Sequence, residues 1–188
     1  MKKYVMKRVV LIASVMALAV VAVPAMASAT PVWGPVGSSA SLDASNFSMN
    51  TSAFGWTCQK VHLGVHTRKP ASSTLDVTAA TFTNCIGNGS LAGGCSVNQT
   101  ATGLPWTAEA LGGTAVKINV ANVNMTLVGS CPYAGATTFY SGPLTPGTWT
   151  AAMHKLQYTS SGGLFVSGIG SSTVTASFVD PLSVLTLA

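Results

Sequence analysis

Ala115-Val116-Lys117-Ile118-Asn119-Val120-Ala121-Asn122-Val123-Asn124-Met125-Thr126-Leu127-Val128 is the stretch that decides the fold class. Val116, Ile118 and Val120 alternate with Lys117 and Asn119, the period of a strand with one buried face. The phase then slips by one residue, and Val123, Met125 and Leu127 alternate with Asn124 and Thr126. A slip inside one apolar run is what a β-bulge produces. Working outward, Val174, Ala176 and Phe178 repeat the period, and Leu75, Val77, Ala79 and Phe82 repeat it with another slip. After Asp180-Pro181, Leu182 and Val184 start in one phase and Leu185 and Leu187 continue in the other.

Turn chemistry separates these runs: Lys69-Pro70-Ala71-Ser72, Gly87-Asn88-Gly89, Gly93-Gly94, Gly112-Gly113, Pro143 to Gly147, Ser161-Gly162-Gly163 and Gly168 to Gly170. Helical periodicity is not sustained after residue 29; Ala108 to Leu111 reads as one helical turn at most. Many short strands between such turns predict a single all-β domain over residues 39–188. The expected architecture is an antiparallel β-sandwich, Greek-key or jelly-roll-like, with a β-barrel as the alternative. Residues 30–38, with Pro31, Gly34, Pro35 and Gly37, read as an exposed leader.

Residues 1–29 read as a secretory signal peptide. Lys2, Lys3, Lys7 and Arg8 precede the uncharged run Val9 to Val23, and the small residues Ala25, Ala27 and Ala29 follow Pro24. The run is shorter than the ~20 apolar residues of a membrane anchor, so no stable span is expected after processing. The full chain carries a formal charge of +5. Without residues 1–29 the bases are Lys60, Arg68, Lys69, Lys117 and Lys155 and the acids Asp43, Asp76, Glu109 and Asp180, five against four, a net +1. A nucleic-acid partner would need a basic stripe, and none is left. Ser, Thr, Asn and Gly carry the polarity instead, and such a surface has little electrostatic repulsion to keep copies apart.

Cys58, Cys85, Cys95 and Cys131 are even in number and follow the signal, so an oxidising compartment makes disulfides the expectation. Spacings of 27, 10 and 36 do not resemble the close pairs of a zinc site. In an antiparallel hairpin, opposite residues lie symmetrically about the turn. Pairing Cys58 with Cys85 centres a hairpin between Ala71 and Ser72, and pairing Cys95 with Cys131 centres one on Gly113. The nested pairing, Cys85 with Cys95 and Cys58 with Cys131, centres on Ser90 and on Gly94-Cys95 and remains the alternative. The crossed pairing would place turns inside strands.

Chemistry is sparse. His62 and His66 lie in a strand-like run, where residues four apart are ~13 Å apart and cannot share a metal, so they read as exposed edge histidines. Serine stands in no G-x-S-x-G frame, and the glycine-rich turns lack the lysine and helix of a phosphate loop. The expectation is a protein that is not an enzyme and needs no cofactor or metal. Among aromatics, Trp56 and Trp106 are expected in the core. Trp33, Trp149 and Tyr140, near Gly- and Pro-rich stretches, are the candidate ligand-stacking platforms. Five Asn-x-Ser/Thr sequons, at Asn46, Asn50, Asn88, Asn98 and Asn124, follow from an Asn- and Thr-rich composition.

Thr57-Cys58, Ala80-Thr81-Phe82-Thr83-Asn84-Cys85, Cys95-Ser96-Val97, Leu104-Pro105-Trp106-Thr107 and Cys131-Pro132-Tyr133 together resemble small secreted actinobacterial β proteins. Those proteins share an F-[TS]-x-C step and a later L-P-W-T. The same stretches are more distantly similar to the exported activator of alkane oxidation of Pseudomonas. The resemblance spans about the middle half of the chain, matches structural residues, and brings no catalytic motif. It implies an extracellular β protein at the cell surface, linked to hydrophobic substrates or surface matrix. The expected function is therefore that of a secreted, non-catalytic surface or matrix protein. It would act by adhesion or self-association, with itself, a cell-surface polymer or a hydrophobic substrate as partner. A carbohydrate- or small-ligand-binding module is the alternative.

Overall fold

A computed structural model describes residues 30–188; the signal-peptide reading falls outside them. Among the described residues the strands are β1 (Trp33–Gly34), β2 (Ser39–Thr51), β3 (Phe54–Thr67), β4 (Thr74–Asn88), β5 (Ser96–Thr102), β6 (Trp106–Gly112), β7 (Ala115–Val128), β8 (Thr137–Thr150), β9 (Lys155–Gly162), β10 (Phe165–Val166), β11 (Gly170–Val179) and β12 (Thr186–Leu187). One short α-helix, α1 (Gly89–Ala92), and a 3-10 turn at Ala151–Met153 interrupt them.

Antiparallel pairing runs β2-β3-β4, continues through β5 and β6 to β7, then β8, β9 and β11, and returns from β11 to β2. The ladder therefore closes into an eight-stranded barrel, and the barrel alternative is the one it supports over the expected sandwich. Apart from the closing β11–β2 pair, successive wall positions follow chain order, so no Greek-key crossover is needed. Two wall positions are each built from two strands. β5 pairs with the far half of β7 and β6 with the near half, split at Gly103 to Pro105. β9 and β10 likewise share one position against β8, split around Gly163. Each split falls at a Gly or Pro, where a ladder hydrogen bond is hardest to keep.

The central run behaves as its alternation requires. Val116, Ile118, Val120, Val123, Met125 and Leu127 are all buried, and the β7–β8 register shifts between Val120 and Val123. Ala108 to Leu111 belongs to strand β6 rather than to a helical turn, because Thr107 to Ala110 are paired with β7 on one side. The interior of an eight-stranded barrel is just wide enough for side chains to fill. Here Trp56, Tyr140, Tyr158, Leu156, Val174 and Phe178 fill it, all buried. At Gly147 the backbone passes so close to Tyr158 that a Cβ would lie 2.5 Å from the ring, so only glycine fits. One apolar void of about 30 Å³ remains, between Phe47, Trp106 and Tyr140.

Residues 30–38 are not an exposed leader. Trp33 is buried, β1 pairs with β12, and the Val32 amide donates to the Ala188 carbonyl at 2.7 Å. The apolar Trp33 ring outweighs the Pro- and Gly-rich composition around it. The Leu182–Leu187 alternation survives only in β12. Asp180 accepts hydrogen bonds from the Leu182 and Leu185 amides at 3.2 and 2.7 Å, turning that segment and leaving Leu182 exposed.

Candidate binding groove

Both disulfides follow the hairpin pairing. Cys58 is bonded to Cys85, directly opposite it in the β3–β4 ladder. Cys95 is bonded to Cys131, joining the residue before β5 to the loop after β7. The second bridge lies just beyond a ladder that ends at Ser96 and Val128, so it ties off the end of a strand pair.

Beside the first disulfide the wall opens. β4 pairs with β6 from Thr74 to Val77 and meets β5 only at Ile86 opposite Ser96. Among the described residues, 78–85 thus have no ladder partner on that side. A groove of about 950 Å³ lies there, lined from β2, β3, β4 and β5.

Amide side chains dominate the groove. Each of β2, β3 and β4 breaks its alternation at the same level, with two successive exposed residues: Ser45-Asn46, Gln59-Lys60 and Thr83-Asn84. Asn46 and Asn84 take positive φ, 57° and 50°, which asparagine tolerates better than most residues. The slip turns Asn46, Gln59 and Asn84 outward in one row across three strands, and Asn84 Nδ2 donates to Gln59 Oε1 at 2.8 Å. Asn98 and Gln99 face them from β5. Gln99 forms part of the wall: its Nε2 donates to both Sγ atoms of the Cys58–Cys85 bridge at 3.0 and 3.1 Å. Its Oε1 accepts from the Tyr140 hydroxyl at 2.8 Å. Phe82 supplies an apolar patch, half-buried in the groove. Among the described residues that line the groove, none is charged.

The aromatic platforms expected from sequence are not there. Trp33, Trp149 and Tyr140 are 1%, 2% and 2% exposed and belong to the core. Trp33 and Trp149 meet edge-to-face at 5.4 Å, and Tyr140 packs on Trp56 at 5.7 Å. Nearby Gly and Pro mark turns but say nothing about which way a strand-end ring points. Burial also raises the Tyr140 and Tyr158 phenols well above their ordinary value. The amide row was missed because a bulge shared by three strands shows up in any one strand only as two polar residues in succession.

The histidines do not converge. His62 and His66 sit on β3 inside the sheet rather than on an edge. His62 Nδ1 lies 2.7 Å from Asp43 Oδ1, with Lys60 Nζ 3.8 Å from the same oxygen. His66 Nδ1 lies 3.1 Å from Ser39 Oγ. His154 donates from Nδ1 to the Leu185 carbonyl at 2.8 Å. Among the described residues no three His, Cys, Asp or Glu side chains gather as a metal site, and no helix is long and apolar enough to cross a membrane.

Fold and groove together define an all-β, disulfide-bridged chain with an uncharged, amide-lined groove. No family model, no curated protein and no solved structure matches it.

Proposed function

We propose that this is a secreted, non-catalytic surface or matrix protein that adheres to a neutral, hydroxyl-rich polymer such as a polysaccharide, through the amide-lined groove. The observation that carries this reading is the row Asn46, Gln59 and Asn84 facing Asn98 across a groove without charge. Each primary amide offers donors and an acceptor, which suits hydroxyls that both donate and accept. Uncharged lining disfavours anionic or cationic ligands, which would be desolvated without a partner. The two disulfides fit an oxidising, extracellular compartment.

Affinity electrophoresis through gels cast with neutral polysaccharides tests the reading. Retardation of the protein, lost in Gln59→Ala/Asn84→Ala, supports it. Free migration in every gel, or equal retardation of the double variant, removes it. A second reading, self-association, rests on the unpaired β4 edge at residues 78–85, which another strand could extend. A sedimentation coefficient that rises with concentration favours it, and a constant one removes it.

A further inference from the structure

The barrel mouth below α1 holds a second, chemically opposite cavity. About 220 Å³ opens between the barrel wall, α1 and the loop of residues 129–136. Its floor is the core itself: Phe54, Met125 and Leu127, all buried. Its sides are Leu91 and Ile169, half-buried, and Tyr133 at its rim is 49% exposed. Among the polar groups around it, one hydroxyl and two backbone amides are engaged within the protein. Thr138 donates its hydroxyl to the Ser167 carbonyl at 2.8 Å. The Gly135 amide donates to the Leu127 carbonyl at 2.7 Å and the Leu127 amide to the Ala136 carbonyl at 2.9 Å. No charged side chain is among those that line it.

We propose that this mouth is a binding site for a small uncharged hydrocarbon, a single aromatic ring or a short aliphatic chain. Volume and chemistry select that class together. An apolar cavity of about 150 Å³ accepts benzene, whereas drug-sized ligands occupy pockets of about 300–1,000 Å³. At 220 Å³ the mouth falls between them. With a mostly apolar and uncharged lining, it gives a polar ligand few partners in exchange for lost water, and a charged one no counter-charge. Met125 on the floor adds a polarizable sulfur beside any ring that enters. The Cys95–Cys131 bridge anchors the 129–136 loop to the start of β5, so the rim holds its place without a core of its own. The site is independent of the amide groove and stands or falls apart from it.

Methionine methyl NMR with toluene as probe decides the matter. The Met125 methyl, assigned through Met125→Leu, is expected to shift saturably, while buried Met49 and exposed Met153 stay in place. Ala136→Phe, at an exposed rim position, fills the mouth and is expected to weaken toluene binding at least tenfold while leaving the rest of the spectrum intact. An unsaturable Met125 response, an equal response at Met49, or unchanged affinity in the folded Ala136→Phe protein overturns the proposal.

Discussion

The two mouths of the barrel are closed by different means. At the mouth where β2 begins, the chain plugs itself with large rings. Trp33, carried in by the β1–β12 ribbon, packs on Trp149, and Trp149 packs on His154 at 6.3 Å. Asp180 is 2% exposed; its carboxylate receives the Leu182 and Leu185 amides, while its own amide donates to the His154 carbonyl at 2.9 Å. The opposite mouth has the four residues of α1, a loop anchored by Cys95–Cys131 and the turn that carries Ile169, and an apolar crevice stays open among them. Packing closes the first end, and a covalent tether holds the second, where the apolar crevice lies.

Substitutions should separate the two mechanisms. Trp149→Ala, in the aromatic plug, is expected to be the most damaging, at about 3–5 kcal/mol by thermal or urea unfolding. A loss below 1 kcal/mol would mean the plug is not what holds that end. Replacing Cys95 and Cys131 by Ala opens a loop of 36 residues and should cost about 4 kcal/mol on the chain-entropy estimate. Hydrogen exchange in that variant should rise first in residues 129–136, leaving Trp33 and Trp149 protected. Equal loosening at both mouths would contradict the division. Asp180→Ala leaves the buried Leu185 amide and the part-buried Leu182 amide without their acceptor and should cost about 1–3 kcal/mol, read in the same unfolding curves.

A smaller effect depends on pH. Tyr140 and Tyr158 have phenols raised by burial, so the folded state holds their protons where the unfolded chain begins to release them. That contribution is complete below the unfolded value near 10 and falls as pH rises toward the folded value, by about 1.4 kcal/mol for each tyrosine at pH 11. Tyr158 has a buried hydroxyl without a partner among the described residues. Tyr158→Phe should therefore leave stability at pH 7 nearly unchanged and lessen the loss between pH 9 and 11. An identical alkaline loss in the variant would show that Tyr158 ionises freely. Smallest of all, Tyr133→Ala at the open rim should change stability by no more than about 0.5 kcal/mol.

Strand identity was legible wherever one face is buried, because the apolar period of two needs no tertiary knowledge: Val116 to Leu127 and Val174 to Phe178 read directly. Disulfide pairing was legible for a related reason. A hairpin is symmetric about its turn, and the turns at Ala71-Ser72 and Gly113 are marked by Pro and Gly. The bulge pattern was harder. The slip after Val120 shows in the sequence as a change of phase, whereas the amide row does not, because Asn46, Gln59 and Asn84 come from three distant segments. Likewise the ring directions of Trp33, Trp149 and Tyr140 followed from how the strand ends close over the mouth and core.

The sequence by itself determined an all-β chain and its main strands and favoured one of two open cystine pairings, since these rest on local period, turn chemistry and hairpin symmetry; the structure settled the pairing. Only the tertiary structure decided that the sheet closes on itself, that residues 30–38 and the last strand lock one end, and that a polar groove and an apolar mouth remain. Closure depends on β11 meeting β2 across most of the chain, and no local signal reports a pairing between segments so far apart.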